Sequence, residues 1–505
     1  MLLSNVIKEL DLRLIAGDPC LEVTSVEFDS RRAGPGSIFV CIKGFKTDGH
    51  RFISSAVEKK AACVIVEAEN ECVDESALKV LSSEFSVVIA EAKDTKKALA
   101  LIAAALAGHP ERDIDVYGIT GTKGKTTSTF MLRNMFEVSG KKAGLIGTVC
   151  NFIGDEKIEA VHTTPESSRV FGMMRALREK NISNLVMEVS SQGLKLDRVY
   201  GLRYRAAAFT NLYEDHISPE EHPDMEDYLN CKLKIFDDCG NAVINVDCDP
   251  AGRVIGYASS RCKVLTYGID GEADFRAENL RQERKGHVTG TKFDLTGKYV
   301  TGEFFVALPG KFNVYNALCA IAMAYCAGIG KNVMEEVLAS ISVPGRMQPV
   351  ENTLGLNILV DYAHNAEALK SAVLTLKEYT EGRVITVFGC GGDRPKIRRF
   401  EMGEVSGLLS DYTVITSDNP RTEEPMAIIG DILTGINKTT GKYEVEADRT
   451  TAIKLAISMA KPGDTVLIAG KGHEDYQEIN GVKHHFDDAE KAAQAVRELG
   501  GAVSE

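Results

Sequence analysis

Short apolar runs typical of buried strands alternate along this chain with stretches whose apolar residues recur at helical spacing. In the first two thirds, the runs predict strands at 114–119, 185–187 and 206–210. Helical spacing predicts helices at 98–106, 225–236 and 317–327. Four more strands are predicted at 358–360, 384–388, 413–416 and 465–469. This alternation favours an α/β protein with open, mostly parallel sheets.

Two polar breaks interrupt the pattern, at 108–113 and at 342–346. A chain of 505 residues is too long for one hydrophobic core. We therefore predict three domains, at 1–109, 110–342 and 343–505. The fold class expected is an N-terminal α/β domain, a central nucleotide-binding domain with a mostly parallel sheet, and a C-terminal Rossmann-like α/β domain.

A glycine-rich loop lies between the strand at 114–119 and the next helical stretch. It contains Gly121, Thr122, Lys123, Gly124, Lys125, Thr126 and Thr127. Glycine amides and a helix N-terminus can surround phosphate oxygens, Lys125 can neutralise the β- and γ-phosphates, and the Thr126 hydroxyl can bind Mg²⁺. Gly118 lies one residue farther from Gly-Lys-Thr than in the usual P-loop. We predict a triphosphate site; the alternative is an ordinary strand-turn-helix loop.

Polar residues follow the neighbouring central strands. Glu188 ends the strand at 185–187, where a second Mg²⁺ ligand is expected beside a P-loop. Asp215 and His216 follow the strand at 206–210, and the next helix carries Lys232. Each residue alone has an ordinary surface or capping explanation. A nucleotide–metal site, however, needs such groups to converge from separate strand ends.

The four C-terminal strands also end in polar or glycine-rich segments. Ligands of open α/β sheets bind beyond the carboxyl ends of the strands, so we expect these loops to face one cleft. The candidate residues in them are Asp361, Arg394, Asp418, Asn419, Pro420, Arg421, Gly470 and Glu474.

Charge and composition exclude several classes of protein. The formal net charge of −13 argues against DNA, RNA or an anionic membrane as the main partner. The twelve scattered cysteines, with no Cys-x-x-Cys, predict reduced thiols rather than disulfides or zinc. The start of the chain lacks a signal-peptide pattern, and no apolar run is long enough to span a bilayer. We expect a cytoplasmic monomer with no membrane insertion.

Taken together, these residues resemble the Mur ligase family, and the resemblance covers essentially the whole chain. The residues that carry it are the P-loop, Glu188, Asn211 with Leu212, Asp215 with His216, the segment 228–232, and Asn313 with Asn316. The family implies an ATP- and Mg²⁺-dependent ligase of peptidoglycan precursor synthesis. Its members transfer the γ-phosphate of ATP to a carboxylate of a UDP-linked muramoyl peptide. An amino acid's amine then attacks the acyl phosphate, and amide and phosphate are released.

The resemblance also implies catalytic roles. Lys125, Glu188, His216 and Lys232 would be catalytic. One Mg²⁺ would bind Thr126 and Glu188, and a second would bind Glu188 and His216. Lys232 fits the family's carbamylated lysine (N6-carboxylysine), since a carbamate supplies the oxygen ligands that Mg²⁺ prefers. Lys234 is the rival, although a tyrosine four residues before Lys232 favours the latter.

Further contacts are implied for the two nucleotides. For ATP, Asn313 and Asn316 would contact adenine, and Arg346 and Asp361 would complete the site from across the domain boundary. The N-terminal domain would bind the uridine nucleotide. Residues implied for the UDP-muramoyl dipeptide are Ser30, Thr163, Thr164, Ser190 and Arg198.

The segment Asp418-Asn419-Pro420-Arg421 resembles the family members that use meso-diaminopimelate. The Arg421 guanidinium can bind the distal carboxylate of that amino acid in a bidentate way. Asn419 would read the same end. Arg394, Gly470 and Glu474 would add contacts, with Glu474 accepting from the ammonium. The expected substrates are therefore UDP-N-acetylmuramoyl-L-alanyl-D-glutamate and meso-diaminopimelate.

Several alternatives stay open. L-lysine, lanthionine or a folate-type substrate would use the same ATP chemistry. The 418–421 segment also fits a plain turn, with Asp418 or Asn419 capping a helix and Pro420 in its first turn. Gln192, Leu196, 365–366 and 395–400 depart from the family pattern. A GTPase or motor lacks support because Asn437-Lys438-Thr439-Thr440 has no guanine-binding aspartate, and the intact P-loop disfavours a non-catalytic binding protein.

Overall fold

The computed structural model describes residues 1–44, 47–215, 217–218, 221–285 and 288–500. The chain forms two compact units. One contains residues 1–274 and 319–330, and the other contains residues 275–318 and 331–505. The domain boundaries expected at 109/110 and 342/343 stay predictions.

The first unit begins with a five-stranded sheet in the order β1-β5-β4-β3-β2. Strands β2 to β5 are parallel, and β1 is antiparallel to β5. The strands are β1 (Arg13–Ala16), β2 (Ser25–Glu27), β3 (Ser37–Val40), β4 (Cys63–Glu67) and β5 (Val88–Ala92). The helices are α1 (Leu3–Glu9), α2 (Ile53–Glu58), α3 (Glu75–Phe85) and α4 (Thr95–Leu106), with short 3₁₀ turns at Gly49–Phe52 and Pro110–Arg112.

The same unit holds eight further strands, of which β6, β7 and β10 to β13 are parallel. Their order is β13-β12-β11-β6-β10-β7-β8-β9. They are β6 (Asp115–Thr120), β7 (Gly144–Ile146), β8 (Asn151–Ile153), β9 (Glu156–Ile158), β10 (Asn184–Glu188), β11 (Tyr204–Phe209), β12 (Asn241–Asn245) and β13 (Lys263–Gly268). The helices are α5 (Lys125–Val138), α6 (Ser167–Glu179), α7 (Ser191–Lys195), α8 (Met225–Leu233), continued by the 3₁₀ turn Lys234–Phe236, and α9 (Ala251–Ser259).

Strand β6 lies between β10 and β11, and this arrangement positions the central site. Glu188 on β10 is opposite Ile119, and Phe209 on β11 is opposite Thr120. All three strands are parallel, so their carboxyl ends and the loops that follow lie at one edge of the sheet. Val116, Val186 and Ala207 are fully buried at its centre. The apolar runs that predicted these strands are therefore explained by burial on both faces.

The second unit opens with three antiparallel strands and two helices. The strands are β14 (Phe275–Lys285), β15 (Val288–Gly297) and β16 (Gly302–Val306). They are followed by α10 (Lys311–Cys326), which the division between the units crosses at 318/319, and by α11 (Lys331–Ser340).

The remainder of this unit is a six-stranded sheet in the order β17-β18-β22-β19-β20-β21. All pairs are parallel except β17 with β18. The strands are β17 (Gln348–Val350), β18 (Asn357–Asp361), β19 (Val384–Phe388), β20 (Tyr412–Ile415), β21 (Tyr443–Val445) and β22 (Thr465–Ala469), and β23 (Tyr476–Ile479) with β24 (Val482–His485) forms a hairpin. The helices are α12 (Ala366–Tyr379), α13 (Ile397–Leu409), α14 (Pro425–Ile436), α15 (Arg449–Met459) and α16 (Asp488–Glu498).

The predicted α/β class with mostly parallel sheets is confirmed. All twelve cysteines are free thiols, and Cys63 and Cys319 are buried. Within the described ranges, no helix combines the length and apolar character needed to cross a membrane.

Candidate functional site

The P-loop is shaped by two glycines with positive φ. Gly121 has φ +142° and Gly124, immediately before α5, has φ +87°. A Cβ on Gly121 would lie 1.9 Å from Thr210 Oγ1, so no side chain fits there. The Lys125 ammonium folds back over the loop and donates to the carbonyls of Gly121 at 2.9 Å and Thr122 at 3.1 Å. The loop thus keeps a cation beside a helix N-terminus, as phosphate binding requires.

Asn211 fixes the other side of the loop. Its carbonyl accepts from the Thr122 amide at 3.0 Å, and its side-chain oxygen accepts from the Lys123 amide at 2.8 Å. The side-chain amide nitrogen of Asn211 (Nδ2) donates to the Lys123 carbonyl at 3.2 Å. The segment directly after β11 therefore holds the P-loop in shape. The family resemblance included Asn211 but implied no role for it.

Glu188 lies in a cluster of hydroxyl groups and is 1% exposed. Its carboxylate accepts from the Thr126 hydroxyl at 3.1 Å and from the amide and hydroxyl of Thr148 at 2.8 Å and 3.0 Å. The Thr148 and Thr163 hydroxyls lie 3.0 Å apart. A buried carboxylate surrounded by hydroxyl oxygens is a donor set that fits Mg²⁺. Thr126 and Glu188 were expected here, whereas Thr148 was missed.

Three of the residues expected to hold the muramoyl dipeptide also lie together. The Thr164 hydroxyl donates to the Glu188 carbonyl at 3.0 Å and accepts from the Ser190 amide at 2.9 Å. Arg198 Nη1 donates to the Thr164 carbonyl at 3.0 Å. Ser30 is in the loop after β2, where its carbonyl accepts from Lys59 Nζ at 3.1 Å. Their substrate contacts stay predictions.

Lys232 on α8 reaches the P-loop from the other side. It is 1% exposed, and its Nζ donates to the Gly121 carbonyl at 2.9 Å. The same nitrogen lies 4.5 Å from the ring centroid of Tyr228. Burial, followed by the charge of Lys125, lowers the pKa of Lys232 well below its usual range. Lys234 is exposed, whereas Lys232 is buried beside the P-loop. The assignment of the carbamate to Lys232 stays a prediction.

Tyr228 links α8 to the loop as well. Its hydroxyl lies 3.2 Å from Thr122 Oγ1, and burial raises the pKa of Tyr228 to about 12. Asp215 forms a longer ion pair with Lys123, at 3.7 Å. His216, expected as a metal ligand, lies outside the described residues.

The two asparagines expected to contact adenine are buried on the first turns of α10. Asn313 donates to the Pro309 carbonyl at 2.8 Å, and Asn316 donates to Asn313 Oδ1 at 3.1 Å. The Tyr379 hydroxyl accepts from the Gly310 amide at 2.9 Å and lies 2.7 Å from Thr291 Oγ1. Tyr379, which the sequence did not single out, therefore fixes the start of α10.

Asp361 and Arg346 are neighbours in the second unit. Asp361 accepts from the amides of Met347 at 2.8 Å and Ala363 at 3.0 Å. Burial raises the pKa of Asp361, and Arg346 opposes this shift. The Arg346 guanidinium lies over the Tyr362 ring, 4.8 Å from its centroid. Their role in binding ATP stays a prediction.

The loop after β20 forms a polar network with the loop after β22. Asn419 donates to Glu474 at 2.8 Å and accepts from Lys471 Nζ at 3.0 Å. Lys471 is completely buried and also lies 3.6 Å from Glu474 and 3.9 Å from Asp418. A Cβ on Gly470, at φ +115°, would lie 2.5 Å from Asp418 Oδ2, which explains the glycine. The structure thus brings together Asp418, Asn419, Gly470 and Glu474.

Two carboxylates in this network face one lysine. Burial and the charge of Asp418 raise the pKa of Glu474. This is the environment in which a second cation, such as a substrate ammonium, would be stabilised.

Arg421 lies in the same loop and has an unusual backbone conformation, with φ +52°. Its Nη1 donates to the Gly392 carbonyl at 2.6 Å and its Nε to Glu478 at 3.3 Å. The guanidinium is therefore held between the loop after β19 and strand β23. Arg394 is exposed on the loop after β19.

The expectation that Asp418 or Asn419 caps a helix, with Pro420 in its first turn, is wrong. Helix α14 begins at Pro425, and Glu424 is its N-cap residue. Asp418, Asn419 and Pro420 precede the helix by several residues and cannot cap it. Asn419 instead forms hydrogen bonds with Gly392, Glu474 and Glu478. The Asp418 carbonyl accepts from the Gln477 side chain, and the Pro420 carbonyl accepts from the Glu423 amide in a short turn.

Three family models match the chain. Residues 22–107 match "Mur ligase family, catalytic domain", residues 119–324 match "Mur ligase middle domain", and residues 345–472 match "Mur ligase, glutamate ligase domain".

Relatives similar over their full length carry one name, UDP-N-acetylmuramoyl-L-alanyl-D-glutamate–2,6-diaminopimelate ligase. The protein from Clostridium perfringens is 40% identical, with 97% of this chain and 98% of the relative covered. The protein from Clostridioides difficile is also 40% identical, with 99% and 100% covered. A solved structure of a ligase with this name superposes with a TM-score of 0.69 at 28% identity, covering 95% of this chain and 96% of its own.

Proposed function

The chain belongs to the Mur ligase family, and from this premise we propose that it joins meso-diaminopimelate to the D-glutamate of UDP-N-acetylmuramoyl-L-alanyl-D-glutamate at the expense of ATP. The observation that carries the proposal is the similarity, over 97% of the chain, to relatives named for that reaction. The polar network around Asn419 and Arg421 supports the choice of amino acid.

In the proposed reaction, the D-glutamate carboxylate attacks the γ-phosphorus of ATP, and ADP leaves. The amine of diaminopimelate then attacks the acyl phosphate, forms the amide bond and expels phosphate. The Lys125 ammonium, already aimed into the P-loop, binds the negative oxygens of the transferred phosphoryl group. The amine must lose its proton to attack.

Mg²⁺ would be held by Thr126, Glu188 and the carbamate of Lys232, with His216 as a further ligand expected from the family. When bound, the ion neutralises phosphate charge. The carboxylate and hydroxyl donors around Glu188 fit it. The lowered pKa of Lys232 supports the carbamate, because only a neutral amine reacts with carbon dioxide.

Selection of the amino acid is proposed to rest on charge at its distal end. Arg421 would bind the distal carboxylate, and Glu474 would accept from the distal ammonium. L-lysine offers no distal carboxylate and would leave the guanidinium without its partner. Lanthionine, which has both groups, is the stronger alternative substrate.

The direct test is the product. Incubation of the protein with ATP, Mg²⁺, the UDP-linked dipeptide and meso-diaminopimelate should yield the UDP-linked tripeptide, detected by mass spectrometry. Omission of the amino acid should abolish product, and chelation of Mg²⁺ should do the same.

We further propose that the protein is a monomer and that it works in the cytoplasm.

A further inference from the structure

A partly buried chain of hydrogen bonds connects α7 with α8. The Ser191 hydroxyl lies 2.9 Å from His222 Nε2, and His222 Nδ1 lies 2.6 Å from Asp227 Oδ2. The same Asp227 oxygen accepts from Lys195 Nζ at 2.8 Å. Ser191 and His222 are buried, and Asp227 and Lys195 are half-buried. A chain in which each member has a partner holds its elements in one arrangement.

The chain fits a neutral His222. Burial lowers the pKa of His222, and the hydrogen bond with Asp227 opposes that shift. With its proton on Nδ1, the ring donates to Asp227 and accepts the Ser191 hydroxyl through Nε2, an assignment made from these two distances. Each polar group is then satisfied without a buried positive charge on the ring.

His222 also packs against the side chain that supports Lys232. The ring centroids of His222 and Tyr228 lie 4.9 Å apart. Tyr228 in turn contacts Lys232 through its ring and Thr122 through its hydroxyl. A displacement of His222 would therefore be transmitted to the P-loop and to Lys232.

The same region offers one set of metal-ligating atoms among the described residues, from His222, Asp227 and Cys231, all within 4.8 Å of one another. A cation there would have to break the His222–Asp227 hydrogen bond. It would also lie close to the Lys195 ammonium, which already pairs with Asp227. The existing contacts therefore favour a structural link over a metal site.

We propose that His222 is a positioning residue for the ligase reaction, which fixes the start of α8 against the start of α7 and so holds Lys232 at the Gly121 carbonyl. The inference rests on the proposed function through the role given to Lys232. It adds a residue that acts on Lys232 through Tyr228.

Two substitutions test the link. His222→Phe keeps a ring against Tyr228 and removes both hydrogen bonds, and Ser191→Ala removes only the hydroxyl. For His222→Phe we expect kcat to fall on the order of tenfold, with the KM of each substrate within about threefold of wild type. Ser191→Ala should lower kcat less, and the double variant should resemble His222→Phe, because both changes break the same chain.

A second readout does not depend on activity. Hydrogen–deuterium exchange of the peptide covering α8 should be faster in His222→Phe than in wild type. The control is His485→Phe, which replaces an exposed histidine on β24 that pairs with a carboxylate, Glu490, at 2.8 Å. It should leave kcat and the exchange of α8 unchanged.

The outcomes separate the two claims. A folded His222→Phe protein with wild-type kcat and wild-type exchange in α8 overturns the inference. If His222→Phe does not fold, Ser191→Ala decides in the same way. A wild-type protein that makes no tripeptide overturns the proposed function, whereas faster exchange in α8 would still support the link between the helices.

Discussion

Lys232 donates a 2.9 Å hydrogen bond to the carbonyl of Gly121, a residue 111 positions earlier in the chain. Lys125 donates to the same carbonyl, also at 2.9 Å. Two amines therefore converge on one oxygen of the P-loop. Burial lowers the pKa of Lys232, and the nearby positive charge of the half-buried Lys125 lowers it further.

The first prediction concerns Lys232. Lys232→Ala should abolish phosphate release, because the proposed carbamate and its metal ligation are lost. Added acetate or formate should restore part of the activity by placing a carboxylate in the vacated space. Lys234→Ala is the control, since Lys234 is exposed and should be dispensable. If Lys234→Ala is inactive and Lys232→Ala is active, the carbamate forms on Lys234 and the assignment to Lys232 is wrong.

Arg421 should govern the affinity for the amino acid. Arg421→Ala should raise the KM of meso-diaminopimelate about tenfold to a hundredfold, which corresponds to the loss of a charge-assisted pair. The KM of ATP should hardly change, and steady-state kinetics with each substrate varied would show both. Arg497→Ala, which removes an exposed arginine on α16, should change neither. A selective loss of ATP affinity in Arg421→Ala would mean that the loop binds the nucleotide.

Glu474 should show a conflict between binding and stability. Its pKa is raised, so the folded protein holds a proton on this carboxyl more tightly than the unfolded chain does. The ionised form therefore costs stability above the folded pKa, and this cost disappears as the pH falls towards the ordinary glutamate value.

Glu474→Gln should accordingly raise Tm at pH 7.5, by about 2–4 °C per 1 kcal/mol gained, and raise it less near pH 4. The KM of meso-diaminopimelate should rise because the ammonium loses its acceptor. Thermal melts over a pH series measure the first effect. A lower Tm at pH 7.5 than wild type would show that the bonds to Asn419 and Lys471 outweigh the cost of burial.

Tyr379 should affect the affinity for ATP indirectly, through the start of α10. Tyr379→Phe removes the acceptor for the Gly310 amide at the start of α10, which carries Asn313 and Asn316. Loss of one such hydrogen bond should raise the KM of ATP about fivefold. Tyr443→Phe, which removes an exposed tyrosine hydroxyl bonded to Asn437, is the control. Equal KM values for ATP in the two variants would show that Tyr379 does not affect ATP binding.

The fold was predictable where burial was continuous. The apolar runs at Val384–Phe388 and Thr465–Ala469 are strands with these same bounds, because they are buried on both faces. The antiparallel strands β14 to β16 were missed. β14 carries many charged residues and has no continuous apolar run, and its pairing with β15 is seen only in the structure. Hairpin β23–β24 was missed because all four residues of β24 are exposed and the two strands have no buried apolar run.

The site was predictable where residues follow strand ends. Thr126 and Glu188 come into contact because parallel β6 and β10 end at the same edge of the sheet. Thr148 and Asn211 act through loop geometry, which residue type and spacing do not specify. Ser191 and His222 were missed because they are 31 residues apart in the sequence and come together only in the folded chain.

Substrate choice is the central claim, and phosphate release with different amino acids tests it most directly. With ATP, Mg²⁺ and UDP-N-acetylmuramoyl-L-alanyl-D-glutamate present, meso-diaminopimelate should support a kcat/KM on the order of a hundredfold above that of L-lysine, because only the former offers Arg421 a distal carboxylate. Equal kcat/KM values for the two amino acids would contradict the account.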